Sequence, residues 1–389
     1  MKTPAVVVGL CAHGLAVARA LARDGVVVYA VDSRRDLPGL RTKSATPVWI
    51  PSLVGAALVD GLLELQRSRF PDARPVLFLT NDRMVETVAE HWPRLASSFT
   101  LSWGMEAQRS LVGRLLGKDA LPDAFAAADI TAPRTARLDA LCDIDAVVPQ
   151  IGFPLIAKPT QPLSGFKAVR VDSREALVQL ARTHAASLPF VLQSWINGGD
   201  DRIHFAAFVL DRGKPVAAFA GRKVHSRPMG HTCIAQAWPD ADVIRLGERF
   251  FERHPVSGAV SLELKRAPDG SLLAIEPTVG RTDFWVDLAV RNGVNLPMAE
   301  YRVALGLSPQ TCVPSSRALW INHERDPFAL PRLLVRAPRA LVTRRPVFLY
   351  WRRGDHGPFR SATAEAMTAL GRRMKRFPMR WRRRALEKV

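Results

Sequence analysis

Alternation of apolar and polar positions divides the chain into short strands and amphipathic helices. AVVVGL at residues 5–10 is an apolar run of strand length, residues 14–23 read as a helix, and VVVYAVD at 26–32 is the next run, so the chain opens as a βαβ unit. PVLFLTND at 75–82 predicts a buried strand ending in Thr80, Asn81 and Asp82, and strand ends are where open α/β sheets bind ligands. The first unit closes near Ser102, and residues 106–130 form a helical stretch before Pro133. FPLIAKPT (153–160), KAVRVDS (167–173) and PFVLQSWI (189–196) predict strands, with a helix over 174–184. Residues 204–224 predict two strands joined at 211–214, and residues 287–306 a helix broken at Asn292 and Gly293.

Between Ser257 and Trp285 the pattern is that of a hairpin. SLELK (261–265) alternates, SLLAIE (271–276) is the second strand, and Pro268, Asp269 and Gly270 signal the turn. With Asp269 and Gly270 as a two-residue loop, Ala267 faces Leu272 and Glu263 faces Glu276; a three-residue loop breaks that register. Opposed side chains have Cβ atoms about 5 Å apart, where like charges are destabilising unless something offsets them. A divalent cation does so, and Mg²⁺ is commonly held by one or two carboxylates plus substrate phosphates. A solvated outer face carrying Glu263 and Lys265 is the other reading of the same alternation.

A length of 389 residues with 48% hydrophobic content calls for two or three folded units. Cys11, Cys142, Cys233 and Cys312 are scattered without a CxxC pair, which points away from a disulfide framework or a zinc motif and towards a reducing, cytoplasmic setting. His13, Arg19 and Arg23 interrupt the N-terminal apolar run, so no signal peptide or membrane span is expected. GLCAHG lacks the GxGxxG order, which sets aside a nicotinamide-dependent oxidoreductase and leaves Gly9 and Gly14 as a tight turn. Net charge is +19, but residues 331–389 hold 17 Lys and Arg against three acidic residues. Most of the excess charge therefore lies in the tail, where Met374, Phe377, Met379 and Trp381 interleave with arginines, and the rest of the chain is only mildly basic. That segment suits an anionic membrane surface, with Trp at the interface, or is simply a solvated basic tail; no specific nucleic acid is expected as a partner.

The order of these features resembles the ATP-grasp superfamily of carboxylate–amine and carboxylate–thiol ligases, which includes the large chain of carbamoyl-phosphate synthase, over most of residues 1–330. The resemblance implies an α/β and α+β architecture: a Rossmann-like pre-ATP-grasp domain (1–102) and a two-subdomain ATP-grasp fold (103–330, the subdomains about 103–188 and 189–330), followed by a basic extension (331–389). It implies that Lys118 and Lys158 reach the nucleotide phosphates, with Lys167 as a further phosphate contact. Gln193, Trp195 and Ile196 match the hinge that holds adenine, and Glu263 and Glu276 match the metal-binding acids. EPTVGRTDFW departs from the family's E-x-N-x-R: Thr278 stands where the asparagine does, and Arg281 lies one residue late. A hydroxyl can still ligate magnesium, so Thr278 joins the metal set.

The implied reaction joins a small-molecule carboxylate to an amine, forming a C–N bond through an acyl phosphate, with ATP and Mg²⁺ or Mn²⁺. Arg281 and Lys223 are the catalytic candidates, with Arg222, His225 and Arg227 behind them and His204 and Asp200 near the hinge. Cys233 reads as a small buried residue. A non-catalytic nucleotide-binding scaffold derived from such enzymes is the alternative, as is a polyanion-binding protein acting through the tail. The substrates and oligomeric state are not readable from the chain.

Overall fold

The computed structural model describes residues 2–160, 166, 168–227, 231–310, 312, 314–324, 326, 328–336 and 338–368. Lys167 and the tail residues Met374, Phe377, Met379 and Trp381 lie outside the described residues. β1 (Ala5–Val8), α1 (Ala12–Arg23) and β2 (Val28–Asp32) form the βαβ opening, and β3 (Thr46–Trp49), α2 (Gly55–Arg69), β4 (Val76–Leu79) and α3 (Asp82–Leu95) complete a parallel sheet in the order β3-β2-β1-β4. Every residue of β1 and β4 is buried, the pattern of a sheet covered on both faces. A Cβ on Gly14 would lie 1.7 Å from the Gly9 carbonyl oxygen, so the strand-to-helix turn is a close backbone approach. Asp32 accepts bonds from Leu10 N (2.6 Å) and Arg34 N (3.0 Å); its carboxylate fixes this loop.

The helical stretch expected over 106–130 is two helices, α4 (Glu106–Leu116) and α5 (Leu121–Ala127). Pro122 sits in the first turn of α5, where a missing N–H costs nothing, and Lys118 lies in the turn between the helices. β5 (Thr135–Leu138), α6 (Ile144–Ile151), β6 (Leu155–Pro159), β7 (Val169–Val171), α7 (Arg174–Thr183) and β8 (Phe190–Ser194) then build a four-stranded antiparallel sheet ordered β5-β8-β6-β7.

The third sheet takes β9 (Ile203–Asp211), β10 (Lys214–Arg227) and β11 (His231–Ala237), then α8 (Ala241–Arg253), β12 (Gly258–Arg266) and β13 (Leu272–Val279). After α9 (Val286–Arg291) and α10 (Leu296–Ala304) come β14 (Ala318–Ile321), α11 (Ala329–Arg336), α12 (Pro338–Thr343) and β15 (Arg345–Phe348). The order is β13-β12-β9-β10-β11-β14-β15. Trp285 stacks on Phe205 with ring centroids 3.6 Å apart, and both belong to one apolar cluster with residues of α1, α9 and α10.

Residue 331 is not a boundary. β15 pairs in parallel with β14, Trp320 opposite Val347, and the Arg19 guanidinium, buried in α1, donates to the equally buried Asp355 (Nε–Oδ2 2.8 Å) and to the Tyr350 carbonyl. The segment through these residues is part of the fold because a buried arginine needs its carboxylate. The expectation of a separate extension from 331 is corrected at least that far.

Glu300 on α10 is 4% exposed, and its Oε1 accepts from Ser102 Oγ (3.0 Å) and Ala259 N (3.3 Å). Burial pushes its pKa from 4.5 up to about 7 against those two bonds. The unfolded chain therefore ionises first as pH rises, and the stability that Glu300 contributes below its unfolded pKa is lost by about pH 7. Glu300→Gln should be more stable than the parent at pH 8, by up to about 3 kcal/mol, and no more stable at pH 4. Denaturant unfolding at the two pH values checks this; an equal difference at both would contradict it.

Candidate functional site

The hairpin reaches its acid pair by a route other than the expected one. Ala267 N bonds Ser271 O (2.8 Å) and Arg266 faces Leu272, so the loop holds three residues, Pro268 to Gly270, with Gly270 at φ +90°. Such a loop alone would put Glu263 out of step with Glu276. A β-bulge between Glu263 and Leu264, with Ile275 as the extra residue on β13, restores the facing, so Glu263 and Glu276 are register partners, as are Ser261 and Thr278. Ser261, Glu263, Glu276 and Thr278 therefore share one face of the outer pair of strands.

Two further side chains join the acids. Lys223 on β10 is 4% exposed and lies 2.8 Å from Glu263 Oε1; burial opposes its charge, but Glu263 outweighs this and raises its pKa. Asp283, just beyond β13, accepts from Ser261 Oγ (3.2 Å) and Phe284 N (2.7 Å). Burial raises the Asp283 pKa, with Glu263 adding to the rise and Arg281 opposing it. Two oxygen-bearing acids, a hydroxyl and a third carboxylate make a hard donor set of the kind that holds Mg²⁺.

Arg281 bridges to the first sheet. Its Nε donates to Asp82 Oδ1 (2.7 Å) in the first turn of α3, its Nη1 to Thr282 O (3.1 Å), and Asp283 and Glu276 are near enough to help raise its pKa against burial. Asp82 is in turn held below the ordinary carboxylate range: burial raises its pKa, but Arg281 outweighs this, with Lys118 also lowering it. His13 is buried between Thr80 O (3.1 Å from Nδ1) and Thr282 Oγ1 (2.7 Å from Nε2). A carbonyl only accepts, so Nδ1 carries the proton and Nε2 accepts from the threonine. Burial and Arg281 push the His13 pKa down to about 3, which keeps the imidazole neutral beside the guanidinium.

Lys118 Nζ reaches Pro159 O (3.3 Å), which brings it to the end of β6 beside Lys158, itself opposite Val191 of β8. A cavity of about 200 Å³ opens there, lined by Glu86, Asp119, Arg137 and Thr160 among others. At the end of β8, Gln193 is buried and its Nε2 lies 3.3 Å from Oγ1 of Thr135, its cross-strand partner on β5. The Trp195 indole carries Arg170 at 4.7 Å and Lys265 at 4.8 Å from its ring centre. Lys265 also donates to Ile196 O (2.9 Å) and Gly198 O (2.8 Å), tying the backbone that follows β8 to the strand that bears Glu263. It is buried, so the reading of Glu263 and Lys265 as a solvated face does not hold. Arg222 stacks on Trp238 at 3.8 Å, and His225 bonds Asp326. His204 is buried, and Arg227 is exposed.

Three residues of this arrangement carry no sequence signal at short range. Asp283 and Thr282 look like loop residues until the chain turns back from β13, and His13 is assigned only by its 2.7 Å bond to a residue 269 positions away. Lys265 alternates correctly for a surface strand, and its burial is explained by the Ile196 and Gly198 carbonyls.

No family model matches the chain, and no curated protein matches it. Solved structures do. N5-carboxyaminoimidazole synthetase from Staphylococcus aureus complexed with ADP aligns with a TM-score of 0.63 at 15% identity, covering 81% of each chain. A biotin carboxylase–β-γ-ATP complex from Campylobacter jejuni aligns at 0.65 and 12% identity, over 80% of this chain and 72% of that one. The biotin carboxylase domain of Hydrogenobacter thermophilus 2-oxoglutarate carboxylase, in complex with MgADP, ADP and bicarbonate, aligns at 0.63 and 13%, over 82% and 74%. At such identities the likeness establishes architecture: the chain has the ATP-grasp fold of these synthetases and carboxylases.

Proposed function

We propose that the chain is an ATP-dependent ligase that joins a carboxylate to an amine, with ATP bound between the second and third sheets. The observation that carries this reading is the facing pair Glu263 and Glu276, with Lys223 and Arg281 beside it. Glu263, Glu276 and Thr278 would hold Mg²⁺, or Mn²⁺ in its place, and Asp283 lies close enough to Glu263 to join them. The metal, when bound, offsets phosphate charge.

Lys118 and Lys158 contribute positive charge where the phosphates would lie, and Lys167 extends that set by its place in the sequence. The backbone at Gln193 to Ile196 offers the adenine edge, with Lys265 fixing the Ile196 carbonyl. A carboxylate oxygen of the substrate attacks the γ-phosphorus of ATP and ADP departs. The amine nitrogen then attacks the acyl carbon, the C–O bond to phosphate breaks, and phosphate leaves as the nitrogen gives up its proton. Arg281 donates to the oxygens of the transferring phosphoryl group in the first step and to the tetrahedral oxyanion in the second, and Asp82 orients it. Neutral His13 keeps a second cation away from that guanidinium.

The Hydrogenobacter thermophilus structure holds bicarbonate and a similar Aspergillus clavatus structure holds 5-aminoimidazole ribonucleotide, so bicarbonate belongs with amino acids and cell-wall or polysaccharide precursors in a substrate panel. We expect phosphate release from Mg·ATP to rise with one carboxylate and one amine of that panel. Tight Mg·ATP binding without release for any pair would favour a nucleotide-binding scaffold. The basic tail is proposed as a contact to anionic membranes at the inner face: the full chain should sediment with anionic and not neutral vesicles and release at high salt. A chain ending at residue 368 that still sediments would remove the tail as the anchor.

A further inference from the structure

Away from the acid pair, on the far side of Lys223, β10 and β11 depart from regular pairing twice. Lys223 faces Ala235, His225 faces Ile234, and Ser226 faces Thr232, so Val224 on one strand and Cys233 on the other are extra residues in two compensating bulges. Bulges re-aim side chains. Here they bring the imidazole of His225 and the thiol of Cys233 to the carboxylate of Asp326 in the loop after β14, and one donor atom from each residue lies within 4.8 Å of the other two. His225 Nε2 is 3.0 Å from Asp326 Oδ2, while Asp326 Oδ1 accepts from Phe328 N (3.0 Å). Asn322 N donates to Cys233 O (2.7 Å), so the strand carrying the thiol and the loop carrying the carboxylate are fastened together. Cys233 is 0% and Asp326 2% exposed.

We propose that His225, Cys233 and Asp326 form a binding site for a borderline-soft divalent cation, Zn²⁺ first. The donors are one nitrogen, one sulfur and one oxygen, the three kinds that Zn²⁺ takes, whereas Mg²⁺ takes oxygen alone. Tetrahedral bonds of 2.0–2.3 Å space donors roughly 3.5 Å apart, so the His–Asp pair at 3.0 Å has only to open slightly and the widest separation, no more than 4.8 Å, to close by about 1 Å. Orientation of Asp326 by Phe328 N is the outer-shell support that metal-bound carboxylates carry. Three protein donors leave a fourth position for water or a substrate atom. Scattered cysteines gave no zinc spacing in the sequence because the ligands are assembled from a hairpin and from a loop about 100 residues later. The site joins the strand of Lys223 to the segment leading into α11, and it shares no residue with the acid pair.

The test uses the full chain, stripped with a chelator and then titrated with Zn²⁺ against a chromophoric competitor, and separately with Co²⁺. One equivalent of Zn²⁺ should bind, and the Co²⁺ form should show a near-ultraviolet thiolate-to-metal band with visible bands of a four-coordinate ion. Cys233→Ser should lose the band, and His225→Gln and Asp326→Asn should lose stoichiometric binding. Glu276→Gln should keep both, which separates this site from the proposed Mg²⁺ site. Should Cys233→Ser fail to fold, loss of the band in folded His225→Gln carries the same weight. Absence of a thiolate band in the parent Co²⁺ protein, or a band that survives His225→Gln, would overturn the proposal and leave a His–Asp hydrogen bond beside a buried thiol.

Discussion

Glu276→Gln should lower Mg·ATP-dependent turnover by on the order of 10²–10³ while leaving the fold intact, a loss of the size seen when one charge-stabilising group is removed from an active site. Glu276 is the informative member of the pair. Glu263 is tied to buried Lys223 at 2.8 Å, and removing it leaves that ammonium without its partner, a change that costs about 3–5 kcal/mol and confuses folding with function. Glu276 faces Glu263 across the ladder on a part-exposed position, so neutralising it removes a like-charge contact worth about 0.2–1 kcal/mol against folding. Because the variant also loses the attraction of Glu276 to Arg281, the expected signature is a melting temperature close to the parent's with Mg·ATP affinity lost, read by calorimetry on the same preparation. Unchanged affinity in the folded variant would exclude the metal site.

A chain ending at Leu330 should fail to fold. It lacks β15, the buried Val347, Leu349 and Tyr350, and Asp355, and it strands Arg19 in the core. Each fully buried apolar side chain contributes about 1.5–3 kcal/mol, and an orphaned buried charge costs about 3–5 kcal/mol. Together these approach or exceed the whole stability of an ordinary domain, about 5–15 kcal/mol. Near-ultraviolet circular dichroism and denaturant unfolding decide it: the truncated chain should show no fixed tertiary signal, and a cooperative transition with parent-like dichroism would refute the packing described for residues 345–355.

The parts of the fold visible in the sequence are those where period and burial agree. The βαβ opening, the paired strands β9 and β10, the break between α9 and α10, and the facing of Glu263 and Glu276 all have clean apolar patterns. The last of these came out as expected through two departures that cancel, a longer loop and the bulge at Ile275, neither of which alternation can report. β15 was hidden because a four-residue strand, RPVF, sits among arginines and reads as tail; its partner strand supplies the hydrogen bonds that its own composition does not advertise. Lys118 was expected on a helix because 106–130 is helical by composition, and Gly117 with Pro122 divides it. Asp82 was noted as a strand-end residue, but its pairing with Arg281, 199 positions on, is a tertiary fact, as is the neutral imidazole of His13.

The central claim is activation of a carboxylate by transfer of the γ-phosphoryl group, and it has a direct mark. With the accepted carboxylate labelled with oxygen-18 and ATP unlabelled, the account predicts one labelled oxygen in each phosphate released during coupling to the amine, seen as an isotope shift in the phosphorus spectrum. Product formed with unlabelled phosphate would mean that the carboxylate never carried the phosphoryl group, and the ligase mechanism proposed for Glu263, Glu276, Lys223 and Arg281 would be contradicted.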